Sequence, residues 1–363
     1  MKITDITLGM LRVPLKTPFK TALRTLEQVE DIVVMLHTDD GHVGYGEAPP
    51  TAAITGETHG SIVHAIRHHI APRLVGEDLA DLNRITDLIQ SAIANNGSAK
   101  AAVEIAVYDL WGQLHRSPVY TLLGGGTPML TTDLTISVND VDTMVADALA
   151  ALDEGYEALK IKVGKDVATD VARVRAIHDA VAGRAALRLD ANQGWTAKDT
   201  VRVLTILENE GVVLDLIEQP VPAHDLAGMR YVTERVNTPV MADESVFAPA
   251  DVMEIIRLRA ADIINIKLMK AGGITQALRI ADIAATHGIP CMMGCMLESS
   301  ISVAAAVHVA IARSRTITRI DLDGPSLCSF NPVEGGVRFD GPRITVDDAP
   351  GLGIGNVRGL APL

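Results

Sequence analysis

LKIKVGKD, residues 159–166, sets two lysines, Lys160 and Lys162, on alternate positions of an apolar run. Side chains alternate along a strand, so both point to one face. Lysines inside an apolar strand are rarely surface decoration. The same pattern, a chemically loaded residue closing an apolar run, recurs downstream. It appears as Asp190 in LRLDAN, Glu218 in LDLIEQP, Asp243 in VMADES, Lys267 in IINIKLM and Asp321 in ITRIDLDG. The steps from Lys162 to Lys267 are 28, 28, 25 and 24 residues; Cys295, in CMMGCMLE, follows after 28 and Asp321 after 26 more. A strand, a helix and two loops need about that length. One polar residue at the C-terminal end of each successive strand is how a (β/α) barrel assembles an active site. The spacing predicts such a barrel, with a mouth of lysines and carboxylates.

Working outward, eight apolar strands are expected near 132–138, 158–163, 186–190, 214–218, 239–243, 262–267, 290–295 and 317–321, with helical stretches such as DTMVADALAALDEG between them. The run after the eighth strand, DGPSLCSFNPVEGGVRFDG, has turn residues and no helical period. The closing helix is therefore missing or replaced, which makes the barrel (β/α)7β. Upstream, residues 1–50 alternate as a β-meander, with Asp39-Asp40-Gly41 as a hairpin turn. Residues 58–118 change to helical periodicity; the clearest helix is expected after Ser98 as N-cap, with Val103, Ala106, Val107 and Leu110 on its apolar face. LLGGGTP at 122–128 breaks the chain. The expected division is an α+β unit at 1–125, a barrel at 126–324, and a segment at 325–363 that returns to the first unit. GLGIG at 351–355 lacks the strand–helix setting of a phosphate loop and reads as a turn.

At 363 residues the chain suits one barrel plus a smaller unit. Hydrophobic residues make up 48% and aromatics 3%, with Ile, Leu and Val filling the apolar runs, as in covered parallel strands. A net charge of −13 argues against nucleic acid as a partner, and means that an anionic substrate must be recognised locally. MKITDITLGMLRVPLK has no apolar core of a leader, and the longest apolar run, ISVAAAVHVAIA, is interrupted by His308. A soluble cytoplasmic protein with no membrane partner is expected. Three cysteines do not suggest a disulfide framework; Cys291 and Cys295 read as core thiols. His64 and His68 have metal-pair spacing but read as a solvated helix face.

Asp190, Glu218 and Asp243 fall on strands three, four and five. Three neighbouring carboxylates repel unless a cation lies between them, and all-oxygen ligation suits Mg2+. Each alone reads equally well as a helix cap; the three in register point to a metal site. Glu244 faces away from Asp243 along an extended chain. Lys160 beside Lys162 should depress the latter's pKa and make it a usable base. Lys267 ends strand six, opposite strand two in a ring of eight. Two lysines facing one carbon from opposite sides, with a metal beside them, suit racemisation or epimerisation through a metal-stabilised enediolate. Asp321 and Asp323 share a face of strand eight, where an acidic pair could hold a substrate ammonium; Asp323 alone reads equally as a turn residue before Gly324. Arg24, in the polar loop PFKTALRT, could pair with an acidic side chain or lie on the surface.

These motifs resemble the enolase superfamily, in its muconate-lactonizing branch. The resemblance spans PFKTALRT, GYGEAPP, KIKVGKD, RLDANQGW, EQPV, ADES, NIKLMKAGG and the Asp-Leu-Asp of strand eight, nearly the whole chain. The Asp-x-Asp narrows it to the dipeptide epimerases, and the resemblance is greatest to those acting on Ala-Glu. The resemblance implies an α+β capping domain over a modified (β/α)8 barrel, one Mg2+ on Asp190, Glu218 and Asp243, and proton transfer by Lys162 and Lys267. It implies that Lys160 binds the substrate carboxylate and that Thr135, Cys295 and Leu297 contact the dipeptide. Asp321 and Asp323 would hold its ammonium, and Arg24 would face its glutamate side chain. A thiol at Cys295 departs from the small hydroxyl residue expected there. A homo-oligomer is expected. An N-acylamino-acid racemase or a cycloisomerase of the same branch would share the metal and lysines but has no use for the acidic pair. A non-catalytic dipeptide-binding protein would be free to lose a base or a ligand, and none is missing.

Overall fold

The computed structural model describes residues 1–21 and 25–363. The N-terminal strands Ile3–Lys20, Thr25–Thr38 and Val43–Ala48 form an antiparallel sheet in chain order. The hairpin turn falls at 39–41, with Gly41 at φ 87°. Strand alternation buries Leu11, Val13, Ile32 and Val34. Helix Gly97–Leu114 lies so close to strand Val43–Ala48 that a Cβ on Gly46 would meet the Ala102 carbonyl oxygen at 1.8 Å. Glycine in GYGEA is therefore a packing requirement. The cap of this helix differs from the expected one. The helix begins at Gly97, one residue before Ser98, after Asn96 in the left-handed region at φ 55°. The carboxylate of Glu57 accepts the free N–H groups of Ser98 (2.9 Å) and Ala99 (3.1 Å). A cap 41 residues upstream has no local signature.

Eight parallel strands follow in consecutive order: Leu134–Ile136, Ala158–Lys162, Ala186–Asp190, Leu216–Glu218, Val240–Ala242, Ile263–Ile266, Cys291–Gly294 and Ile317–Asp321. The expected modified barrel is the observed one. The ladder ends between strands eight and one, where Asp133 N–H donates to the Ile320 carbonyl (3.2 Å) and Leu322 N–H to Thr132 Oγ1 (2.9 Å). Inside the ring, Leu216, Met241, Ile263 and Met292 make an apolar plug separate from the main core between strands and helices. After strand eight a single helical turn, Gly324–Leu327, stands where a full helix would close the barrel. The chain then pairs Val333–Gly335 with Ile354–Val357, and Val337–Asp340 with Arg343–Val346, which also pairs with Met129–Thr131. Ala361–Pro362 adds to the N-terminal sheet opposite Gly9 and Met10.

Among the described residues no helix is long and apolar enough to cross a membrane. The run around His308 is a buried helix, Ser300–Ala312, and His308 Nδ1 accepts the Tyr120 N–H at 2.9 Å. Burial pushes the His308 pKa down to about 3. Cys291 and Cys328 are buried free thiols; Cys295 departs from the core-thiol reading, because it lines the cavity at the barrel mouth.

Candidate active site

Strand register decides what reaches the mouth. Lys160, Arg188 and Leu216 share one row across strands two to four, and Lys162, Asp190 and Glu218 share the row above. Two residues above the plug position Met241 comes Asp243, and four above Ile263 comes Lys267. The apolar plug is the floor; the next inward positions are Glu218 above Leu216, Asp243 above Met241 and Asn265 above Ile263, with Lys267 above Asn265. All of these charged groups are buried.

The ammoniums and carboxylates interlock. Lys162 Nζ lies 2.6 Å from Asp190 Oδ2 and 3.3 Å from Asn192 Oδ1. Across the ring, Lys267 Nζ lies 2.8 Å from Asp243 Oδ2 and 3.9 Å from Glu218 Oε1. Lys160 donates to the Asp321 carboxylate and stands 3.9 Å from both Asp190 and Glu218. Lys270 Nζ lies 2.5 Å from Asp243 Oδ1 and donates to the Asp243 and Asn265 carbonyls. Asn265 Nδ2 donates to Glu218 Oε1 at 2.8 Å. Asp323 Oδ2 accepts the Thr135 N–H at 2.7 Å. Glu244, expected to face away, is buried beside the site and accepts from Asn192 Nδ2 at 3.4 Å.

Charges crowd here: Asp190, Glu218, Asp243, Glu244, Asp321 and Asp323 are buried around the mouth together with Lys160, Lys162, Lys267 and Lys270. Burial, then Asp190 and Asp243, push the Glu218 carboxyl up to about 8 against the pull of Lys160 and Lys267. Glu244 is pushed up to about 7 by burial, Asp243 and Asp190. Burial alone would lower Lys160, but Asp321, Glu218, Asp190 and Asp133 carry it well above the ordinary lysine range. Lys267 is raised in the same way: Asp243 and Glu218 outweigh its burial. Burial would raise Asp243, yet Lys267 and Lys270 hold it far below the carboxylate range. The two lysines of strand two take different partners, Lys160 the Asp321 carboxylate and Lys162 that of Asp190.

The cavity above these groups has a volume of about 50 Å3. Lys160, Lys162, Lys267, Thr135, Cys295, Leu297, Asp321 and Asp323 all line it, and Phe19, Ala53 and Ile54 cover it from the N-terminal unit. The structure thus brings eight of the expected residues onto one cavity. Asp190, Glu218 and Asp243 lie behind the lysines. Among the described residues, no three His, Cys, Asp or Glu side chains are gathered to hold an ion as they stand, because their oxygens turn toward the ammoniums. Arg24 lies outside the described residues. Sequence reasoning missed Asn192, Asn265 and Lys270. Asn192 and Lys270 sit two and three residues beyond Asp190 and Lys267, a spacing that could have flagged them. Asn265 was two residues before Lys267 on the same face.

Comparison with known proteins adds to this geometry. Residues 3–124 match the mandelate racemase / muconate lactonizing enzyme N-terminal domain, and residues 143–356 match the enolase C-terminal domain-like family. The L-Ala-D/L-Glu epimerase of Clostridium acetobutylicum is 51% identical over 354 residues, which cover 98% of this chain and 99% of that protein. The substrate-liganded L-Ala-D/L-Glu epimerase from Bacillus subtilis superposes with a TM-score of 0.96 at 47% identity, covering 99% of this chain and 100% of that one. The dipeptide epimerase from Enterococcus faecalis, complexed with Mg and L-Leu-L-Tyr, superposes with a TM-score of 0.94 at 41% identity, covering 98% and 100%.

Proposed function

This chain belongs to the mandelate racemase / muconate lactonizing enzyme family of the enolase superfamily, and on that premise we propose that it is a Mg2+-dependent epimerase of dipeptides, with Ala-Glu as the substrate. The observation that carries the reading is the placement of Lys162 and Lys267 on opposite sides of the ring, with both side chains lining one cavity.

The residues fit the metal. The donor set is carboxylate oxygen, which suits a hard divalent cation. Burial with Asp190 and Asp243 pushes the Glu218 carboxyl up, as expected where carboxylates crowd together without a cation between them. Glu218 Oε2 is buried without a hydrogen-bond partner among the described residues. Asp190, Glu218 and Asp243 would hold the ion. Bound there, Mg2+ supplies Lewis-acid stabilisation of negative charge on the substrate's carboxylate as the neighbouring proton leaves.

The chain's own residues do the rest. Lys162 takes the α-proton from one face and Lys267 returns one to the other, and the roles exchange for the opposite stereoisomer. Each must be unprotonated when it acts as base. Asp243 and Glu218 favour the charged form of Lys267, so these contacts must loosen when substrate enters. Lys160 meets the substrate carboxylate, and Asp321 and Asp323 meet its ammonium; a dipeptide therefore breaks the Lys160–Asp321 pair and satisfies each partner separately. Thr135, Cys295 and Leu297 line its path, and Arg24 meets the glutamate side chain. Phe19 and Ile54 line the side of the cavity that belongs to the N-terminal unit.

The experiment is α-proton exchange in D2O across a dipeptide library with Mg2+. Exchange at the second residue of Ala-Glu from both stereoisomers is expected. Equal turnover of N-acyl amino acids and free dipeptides would replace this reading with a racemase one.

A further inference from the structure

Three buried side chains bolt the N-terminal unit to the loop after strand seven. Glu47 ends strand Val43–Ala48, Glu298 lies in the loop beyond Cys295, and Ser302 stands in the first turn of helix Ser300–Ala312; all are almost fully buried. Glu47 accepts the N–H groups of Ser299 and Ser302, each at 3.1 Å. Glu298 Oε1 accepts the Met296 N–H at 2.6 Å. Ser302 Oγ sits between the two acids, 2.8 Å from Glu47 Oε2 and 2.5 Å from Glu298 Oε2.

A hydroxyl has one hydrogen to give. With both acids ionised, one of these contacts would set lone pair against lone pair inside the core. One carboxyl must therefore carry a proton and donate it to Ser302 Oγ. Glu47 already accepts three hydrogen bonds, two of them from backbone N–H groups at the start of a 13-residue helix. Glu298 has one backbone donor and an acid opposite. We propose that Glu298 is a neutral acid that donates to Ser302, which donates to Glu47, and that this bridge positions the 295–298 wall of the substrate cavity against the N-terminal unit. Glu298 is a positioning residue: it holds the Met296 amide, while Cys295 and Leu297 on either side line the cavity. The loop also packs tightly on the turn after strand eight, where a Cβ on Gly324 would meet the Glu298 carbonyl oxygen at 2.8 Å.

The surroundings agree. Burial and Glu47 push the Glu298 carboxyl up to about 7, against the hydrogen bonds from Ser302 and Met296 and the charge of Lys267. The Cys295 thiol faces it from its own loop, and Asp31 and Cys328 lie beyond Glu47. Since the folded value is raised, the bridge is intact below about 7 and is lost as pH rises through it.

The test crosses two isosteres. Glu298→Gln keeps an acceptor for Met296 and a donor for Ser302, so kcat/KM for the dipeptide should stay within about threefold of the parent protein, with its rise in KM above pH 7 abolished. Glu298→Ala should lose about tenfold or more, the size of one buried hydrogen bond. Glu47→Gln sets its amide NH2 against at least one backbone N–H, that of Ser299 or of Ser302, and should be at least as damaging. The catalytic readout rests on the dipeptide reading above; infrared spectroscopy does not. The difference spectrum of the parent protein minus Glu298→Gln at pH 6 should contain one buried protonated carboxyl band, over and above those of the other buried acids, whatever the substrate. A mild Glu47→Gln with a damaging Glu298→Gln, or a difference spectrum in which Glu298→Gln loses no carboxyl band, overturns the assignment.

Discussion

Two ion networks share the interior of this barrel. At the mouth, lysines on flexible stems are divided among carboxylates, with Lys160 reaching Asp321 while standing 3.9 Å from two other acids. At the opposite end, arginines are locked. Arg188 Nη1 donates to Asp133 Oδ2 (2.7 Å) and the Ile320 carbonyl (3.2 Å), and its Nε to Asp215 Oδ2 (2.9 Å). Arg319 closes on the same Asp215 at 2.7 and 3.1 Å. This lower network ties strands one, three, four and eight together at the seam the ladder leaves open. The planar guanidinium has five fixed donors and stays charged; the ammonium is a point charge that can give up its proton. The lower network is built to hold one arrangement, and the upper one to exchange partners.

Metal removal should have the largest effect. Exhaustive chelation, or Asp243→Asn, should cut turnover by about a thousandfold or more, since charge stabilisation at the leaving proton is the largest single contribution. Substantial activity after chelation, checked by metal analysis, would break the upper half of the comparison. Lys162→Ala and Lys267→Ala should each lower epimerisation by about 10²–10⁴-fold while folding normally. Deuterium exchange followed by NMR should survive for one stereoisomer in each variant, and for opposite ones. The same preference in both would refute the two-face arrangement.

The lower network should answer in stability. Arg188→Met leaves the buried Asp133 without its guanidinium partner, while Asp215 keeps Arg319, and should cost about 3–5 kcal/mol in denaturant unfolding. The folded fraction should keep its kcat to within a few-fold. If Lys162→Ala destabilised the protein as much as Arg188→Met, the distinction between the networks would dissolve. The smallest effect concerns specificity. Arg24→Met should reduce kcat/KM for Ala-Glu about ten- to a hundredfold relative to Ala-Leu, the cost of about 1.5–3 kcal/mol for one charge-assisted contact. An unchanged preference would assign the glutamate side chain elsewhere.

Much of this architecture is written in short-range pattern. The period of two along LKIKV and the near-even steps from Lys162 to Asp321 determine strands, faces and order, because they depend only on local backbone geometry and on the length a strand–helix unit requires. That lysines, carboxylates and the strand-eight acids meet at one mouth follows from the same pattern. The partners within that mouth do not. Lys160 pairs with Asp321, Lys270 with Asp243 and Asn265 with Glu218 through distances that ring closure and stagger set. Helix 97–114 starts at Gly97 because Glu57 reaches its free N–H groups, and the proton at Ser302 is shared because Glu47 arrives from the N-terminal sheet. These contacts join residues 41 and 255 positions apart. Periodicity carries no information at such separations; only the packed chain brings the groups together, and in a core without water each must then find its partner.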